Sequence, residues 1–187
     1  MNIMIVGVGG QGTLLASRIL GNTVISEGYD VKVSEVHGMS QRGGSVVTYV
    51  KFGEKVYSPI IDKGEADIIL AFEMLEAYRA MPYLKKGGKM IVNSQKIDPM
   101  PVITGAMNYP ENILEKMEQK IDVISVDALK LAIEAGNMKA VNVVLIGLMA
   151  KNTNISYEKW IETIKTSVPE KFLDANLKAF DLGYNLK

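Results

Sequence analysis

Residues 1–36 read MNIMIVGVGGQGTLLASRILGNTVISEGYDVKVSEV, and the order of patterns in that stretch decides the fold. Asn2 to Val6 is a short apolar run ending at glycine, as expected of a strand buried on both faces. From Gly12 to Ser26 the apolar residues Leu15, Ile19, Leu20 and Val24 recur at helical spacing, and Gly28 supplies a stop. Val31 to Val36 is strand-like again. Strand, glycine turn, helix, strand is a βαβ unit, which is almost always right-handed with parallel strands.

Beyond this unit the pattern alternates. Ser45–Phe52 is rich in Val, Thr and Tyr, Gly53-Glu54 turns, and Lys55–Ser58 reads as a short return strand closed by Pro59, so a β-hairpin is expected here. Asp67–Ala71 is a buried-strand run, Glu73 to Met81 is helical, and Gly87-Gly88 turns the chain into a strand at Lys89–Asn93. Ser94–Pro110 reads as a loop with a short extended piece at Val102-Ile103. A helix over Asn112–Gln119 and a strand over Lys120–Val126 follow. The rest is helical: Ala128–Ala135, Ala140–Lys151, Tyr157–Ser167 and Glu170–Leu182. The expected fold is α/β over residues 1–187 as one domain. It is a three-layer α/β/α, Rossmann-like arrangement with a mostly parallel sheet, an inserted hairpin and a helical C-terminal third.

Composition narrows the function. The 21 Lys and Arg balance 21 Asp and Glu, which argues against holding nucleic acid or an anionic membrane by bulk charge. Zero cysteine removes disulfides, thiolate zinc sites, cysteine nucleophiles and iron–sulfur clusters ligated by this chain. The longest apolar stretch, Ala140–Ala150, is about half the ~20 residues a spanning helix needs. The N-terminus lacks a basic n-region and turns glycine-rich at once, so it reads as a strand and a cytoplasmic location is the default.

Two blocks carry candidate chemistry. Gly7-Val8-Gly9-Gly10-Gln11-Gly12 holds the G-x-G-x-x-G spacing between a strand and a helix. Such glycines permit the tight turn, the approach of a phosphate and close helix–strand packing, and free N–H groups at the helix start favour an anion. They serve equally well as a plain strand-to-helix connection. Glu35, at the end of the second strand, stands where a dinucleotide fold keeps its ribose ligand. The second block, residues 34–45, reads SEVHGMSQRGGS and puts the only histidine, a glutamine and an arginine into a glycine-flanked loop directly after the second strand. Both blocks leave the carboxyl ends of strands and are expected to face one crevice. There Arg42 could fork onto a phosphate or carboxylate, or else serve a subunit interface; Ser40 and Gln41 add polar contacts, and Gly43-Gly44 allow close backbone approach. His37 could work as an acid–base group or simply hold its loop. Glu73 and Glu76 read as helix-start acids with a ligand contact as the alternative.

GVGGQG followed by a helix, EVHGMSQRGGSV, the YSP of the expected hairpin and ADIILAFE together resemble the beta-subunit family of indolepyruvate ferredoxin oxidoreductases, with KMIVNS and AGNMKAVNVVLIG in support. That family is similar to the gamma subunits of oxidoreductases acting on pyruvate, ketoisovalerate and 2-oxoglutarate. The His37–Gly44 block favours the indolepyruvate type. The resemblance implies a subunit of an enzyme that oxidatively decarboxylates aryl 2-oxoacids to acyl-coenzyme A and passes electrons to ferredoxin. Thiamine diphosphate and the clusters are then expected in a larger alpha subunit, with coenzyme A as co-substrate and no cofactor held by this chain alone. It implies no catalytic residue here. Gly7, Gly9, Gly10, Gln11 and Gly12 are candidates for a phosphate- or coenzyme A-type contact. His37, Ser40, Gln41, Arg42, Gly43 and Gly44 are candidates for substrate or interface. No metal, nucleic acid or membrane is expected. From spacing alone two alternatives stand beside this one: a free-standing NAD(P)- or flavin-dependent oxidoreductase using Gly7–Gly12 and Glu35, and a nucleotide-sensing or purely structural module.

Overall fold

The computed structural model of the protein describes residues 1–38 and 43–186. The chain runs β1 (Asn2–Val8), α1 (Thr13–Ser26), β2 (Asp30–His37), β3 (Ser45–Gly53), β4 (Ala66–Ala71), α2 (Met74–Ala80), β5 (Leu84–Asn93) and α3 (Met100–Ile103). It continues through α4 (Ile113–Glu118), β6 (Asp122–Val126), α5 (Ala128–Glu134), α6 (Val141–Ala150), α7 (Tyr157–Ser167) and α8 (Leu173–Tyr184). Among the described residues six strands form one sheet in the order β2-β3-β1-β4-β5-β6. β1, β4, β5 and β6 pair in parallel, and β3 runs against both its neighbours. The expected mostly parallel α/β sheet is therefore present.

The βαβ unit has its parallel strands, but they are not neighbours. β3 inserts between β1 and β2, pairing Val8 with Ser45 on one side and His37 with Val46 on the other. The hairpin is thus β2–β3, and just beyond its His37–Val46 pair Gly38 N–H donates to Ser45 O at 3.0 Å. Lys55–Ser58 forms no strand, contrary to the sequence expectation. Tyr57 is 84% exposed, so the segment has no apolar face to bury against a sheet. Two further departures are local. β5 begins at Leu84 and carries Gly87-Gly88 inside it at an irregular register with β4, because a Cβ at Gly88 would lie 3.0 Å from the carbonyls of Ala66 and Asp67. Met100–Ile103 is a helical turn where an extended piece is expected at Val102-Ile103.

Alternation along the strands divides the core in two. Ile3, Ile5, Ile68, Leu70 and Ile91 face a large cluster with α1, α5, α6, α7 and α8. Met4, Val6, Ile69, Met90 and Val92 face a smaller one with α2, α4 and Ile61. On the larger side every residue from Asn142 to Ala150 is buried, since α6 lies between the sheet and α8. The crossing needs glycine on both helices: a Cβ at Gly147 would stand 2.2 Å from Phe180 O, and one at Gly183 2.0 Å from Val144 O. Among the described residues no helix is long and apolar enough to cross a membrane.

Candidate functional site

β1 carries the chain to the carboxyl edge of the sheet and releases it into the glycine turn. The turn residues split into two sets. Gly7 and Gln11 work inward. A Cβ at Gly7 would meet Phe72 Cβ at 3.0 Å and Gln11 Oε1 at 2.9 Å, so β1 and β4 end in close apposition only with glycine there. Gln11 Oε1 accepts from Val8 N–H at 2.7 Å, while its Nε2 donates to Phe72 O at 2.9 Å and to Gln95 Oε1 at 3.2 Å. Asn93, only 1% exposed, adds Nδ2 donation to Phe72 O at 3.1 Å and accepts the Ala128 N–H at 3.1 Å. One amide network therefore joins the ends of β1, β4 and β5 to the start of α5.

Gly9, Gly10 and Gly12 work outward and line an open cleft of ≈ 690 Å³, together with Thr13, Leu14, Glu35, His37, Gly38 and Val46. Gly10 (φ 100) and Gly12 (φ 83) take backbone conformations that L side chains avoid. Gly12 is the N-cap of α1 and offers no side-chain cap, and the first turn of α1 has no acidic residue. The helix start is left with its positive end toward the cleft. Gly9 N–H is already spent, donating to Gly44 O at 2.9 Å, which ties the two glycine blocks together.

The structure brings Gly9, Gly10, Gly12, His37 and Gly44 to one place, as the common-crevice expectation requires. Gly43 takes φ 80 beside them. Ser40, Gln41 and Arg42 lie outside the described residues. Glu35 is not an idle carboxylate: Oε2 accepts from Thr48 Oγ1 at 2.9 Å, and Oε1 lies 3.4 Å from His37 Nε2. Thr48, fully buried on β3, was not legible as a site residue, because threonine in a strand reads as β-propensity. Glu73 and Glu76 are structural. Glu73, 1% exposed, caps α2 by accepting from Glu76 N–H at 2.9 Å and holds Ile97 N–H (3.1 Å) and Tyr109 O–H (2.5 Å). Burial and then the Glu73 carboxylate push the Tyr109 hydroxyl pKa well up. Glu76 pairs with Ser45 Oγ and Arg79. A second open cavity, ≈ 650 Å³, lies by Met74, Lys96, Tyr109 and α4, and contains none of the sequence-derived candidates. Among the described residues no group of three or more His, Asp or Glu could hold a metal ion, and the sequence offers no thiolate, so the residues present do not fit an iron–sulfur cluster.

Residues 2–186 match the family model described as pyruvate ferredoxin/flavodoxin oxidoreductase. The chain belongs to this family. Within it, the indolepyruvate oxidoreductase subunit IorB of Pyrococcus horikoshii is 49% identical, covering 97% of this chain and 93% of the relative. The pyruvate/ketoisovalerate oxidoreductases common subunit gamma of Thermococcus kodakarensis is 27% identical, over 96% of this chain and 92% of the relative. Among solved structures, the keto/oxoacid ferredoxin oxidoreductase gamma subunit of Geobacter sulfurreducens superposes with a TM-score of 0.72 at 25% identity, covering 98% of this chain and 95% of the other. The same fold recurs in the 2-oxoglutarate:ferredoxin oxidoreductase of Magnetococcus marinus (TM-score 0.74, 20% identity), where it matches 98% of this chain but 30% of that one. In that enzyme the matched fold is one stretch of a longer polypeptide.

Proposed function

We infer that this chain is the cluster-free subunit of a 2-oxoacid:ferredoxin oxidoreductase of the indolepyruvate type, working as one domain over residues 1–187. The assembled enzyme oxidatively decarboxylates aryl 2-oxoacids to acyl-coenzyme A. What carries this is the gap between 49% identity to a subunit named for indolepyruvate and 27% to one named for pyruvate and ketoisovalerate, both over nearly the whole chain. The missing cysteines support the division of labour: clusters and thiamine diphosphate belong to a larger alpha subunit, with ferredoxin as the acceptor of the complex. A cytoplasmic hetero-oligomer goes with that chemistry.

The part assigned to this chain is coenzyme A. Gly10 and Gly12 at the uncapped start of α1, with Gly9 lining the cleft beside them, suit a phosphate group, and the open cleft suits an extended ligand with one anionic end. Ser40, Gln41, Arg42, Gly43 and Gly44 are assigned to the same ligand or to the subunit contact beside it. The free-standing NAD(P) or flavin alternative is the weaker reading, since Glu35 already has a partner for each oxygen.

Two experiments test this. Indolepyruvate-dependent viologen reduction with coenzyme A is measured for the large subunit with and without this chain; equal activity would remove the essential role. Leu14→Glu then places a carboxylate in the cleft, at a 57% exposed position in the first helical turn where an acid does not harm the fold. The Kd of coenzyme A is expected to rise about tenfold, and an unchanged Kd would remove the cleft assignment.

A further inference from the structure

The end of β2 carries a three-residue chain that the family assignment leaves without a role. Thr48 is wholly buried and lies directly across from Glu35 in the β2–β3 register. Its hydroxyl donates to Glu35 Oε2 at 2.9 Å, fixing a carboxylate whose side chain is only 15% exposed. The other oxygen, Oε1, meets His37 Nε2 at 3.4 Å, and His37 is 61% exposed at the lip of the cleft. Glu35 and His37 are the two titratable groups among the described residues that line the cleft, and no acid stands in the first turn of α1 opposite them.

A buried hydroxyl, a half-shielded carboxylate and an exposed imidazole in sequence form the arrangement by which a protein aims a histidine. The carboxylate lies on the Nε2 side, which favours a ring orientation with Nδ1 turned away from it, toward a ligand. A carboxylate facing a cleft bare would repel an anion; here its charge is turned onto its own histidine. When protonated, His37 keeps Nε2 within ion-pair distance of Glu35 and can donate Nδ1–H to an anionic oxygen, a charge-assisted bond stronger than a neutral one.

We propose that Glu35 and His37 form a phosphate-reading pair, with His37 contacting a phosphate of the ligand and Glu35, braced by Thr48, acting as the positioning residue. This rests on the assignment of the cleft to coenzyme A and adds which side chain selects the phosphate-bearing portion. Thr48 reaches Glu35 through the β2–β3 pairing.

The test compares two ligands on the assembled enzyme: coenzyme A, and pantetheine, which keeps the thiol arm and lacks every phosphate. Binding is read by calorimetry for the wild type, His37→Gln, Glu35→Gln, the double variant and Leu14→Glu. Each single substitution is expected to raise the Kd of coenzyme A about tenfold and to leave pantetheine unchanged. The double variant is expected to be no weaker than either single one, because both remove the same contact. Glu35→Gln keeps an acceptor for Thr48, so a loss there is not a loss of fold. Equal weakening of both ligands, or no change in coenzyme A binding by His37→Gln, overturns the proposal. If His37→Gln is silent while Leu14→Glu weakens coenzyme A, the cleft assignment stands and only the pair fails. If both are silent, the cleft assignment fails and takes the pair with it.

Discussion

Gly10 of the turn and the glycines of the α6–α8 crossing do opposite work with the same missing atom. At Gly10 nothing lies within 4 Å of where a Cβ would be, and the residue is there for its φ of 100. At Gly147 and Gly183 the space itself is taken, by backbone carbonyls 2.2 and 2.0 Å from the absent Cβ. Gly10 shapes a surface, whereas Gly147 and Gly183 let two helices touch. The difference should appear directly in stability. Gly183→Ala forces α8 away from a backbone that has no rotamer with which to yield, and about 3 kcal/mol of destabilisation is expected, read as a drop in the urea midpoint. Gly147→Ala should match it, and the two together should fall short of additivity because the same separation relieves both. A loss near that of Gly10→Ala would break the comparison.

Within the turn the comparison sharpens by degrees. Gly12→Ala meets both problems, a φ of 83 and the Asn142 amide 2.8 Å away, and should cost about 2 kcal/mol. Gly10→Ala meets only the first and should cost about 1 kcal/mol. The order Gly183, Gly12, Gly10 by denaturant midpoint is the expected outcome; Gly10 above Gly12 would mean that Asn142 swings aside freely. Gln11→Ala removes three hydrogen bonds but leaves Phe72 O with Asn93 Nδ2, so about 1 kcal/mol is expected. Its accompanying sign is faster amide exchange at Val8, the N–H that loses its acceptor.

These two regions also differ in how far the sequence announces them. The turn is legible because everything it needs is local: glycine spacing, the apolar run before it, the helical period after it. Its outward and inward halves are not legible, since nothing in GVGGQG says that Gln11 reaches Phe72 and Gln95 while Gly9 reaches Gly44. The partner of β3 is hidden in the sequence for a related reason. Ser45–Phe52 is unmistakably a strand, but which neighbour it takes depends on the long-range burial of Val46, Val50 and Phe52, and local turn residues at Gly53-Glu54 suggested the wrong one. The helical C-terminal third was readable from periodicity, whereas Gly147 and Gly183 look there like mere blemishes in good helices. Their purpose exists only where the two helices cross.

The smallest effect lies on that same helical side, where α7 meets α8 through Tyr157 and Asp181. The Tyr157 hydroxyl donates to Asp181 Oδ1, and this bond first, then burial and the charge of Asp181, push the tyrosine pKa up from 10.0 to about 12. A pKa raised in the folded state gives stability that is whole below the unfolded value and is lost as pH rises through the folded one. The contribution is therefore intact at neutral pH and declines between pH 10 and about 12. The bond is only part-buried, at the edge where α7 meets α8, so solvent screening holds it to about 0.5 kcal/mol. Tyr157→Phe should lower stability by that amount at pH 7 and flatten the alkaline slope. The same variant should leave the urea midpoint shift of Gly183→Ala unchanged. A helix pair fixed by backbone contact at its centre does not depend on a hydroxyl at its margin, and coupling between the two changes would show that it does.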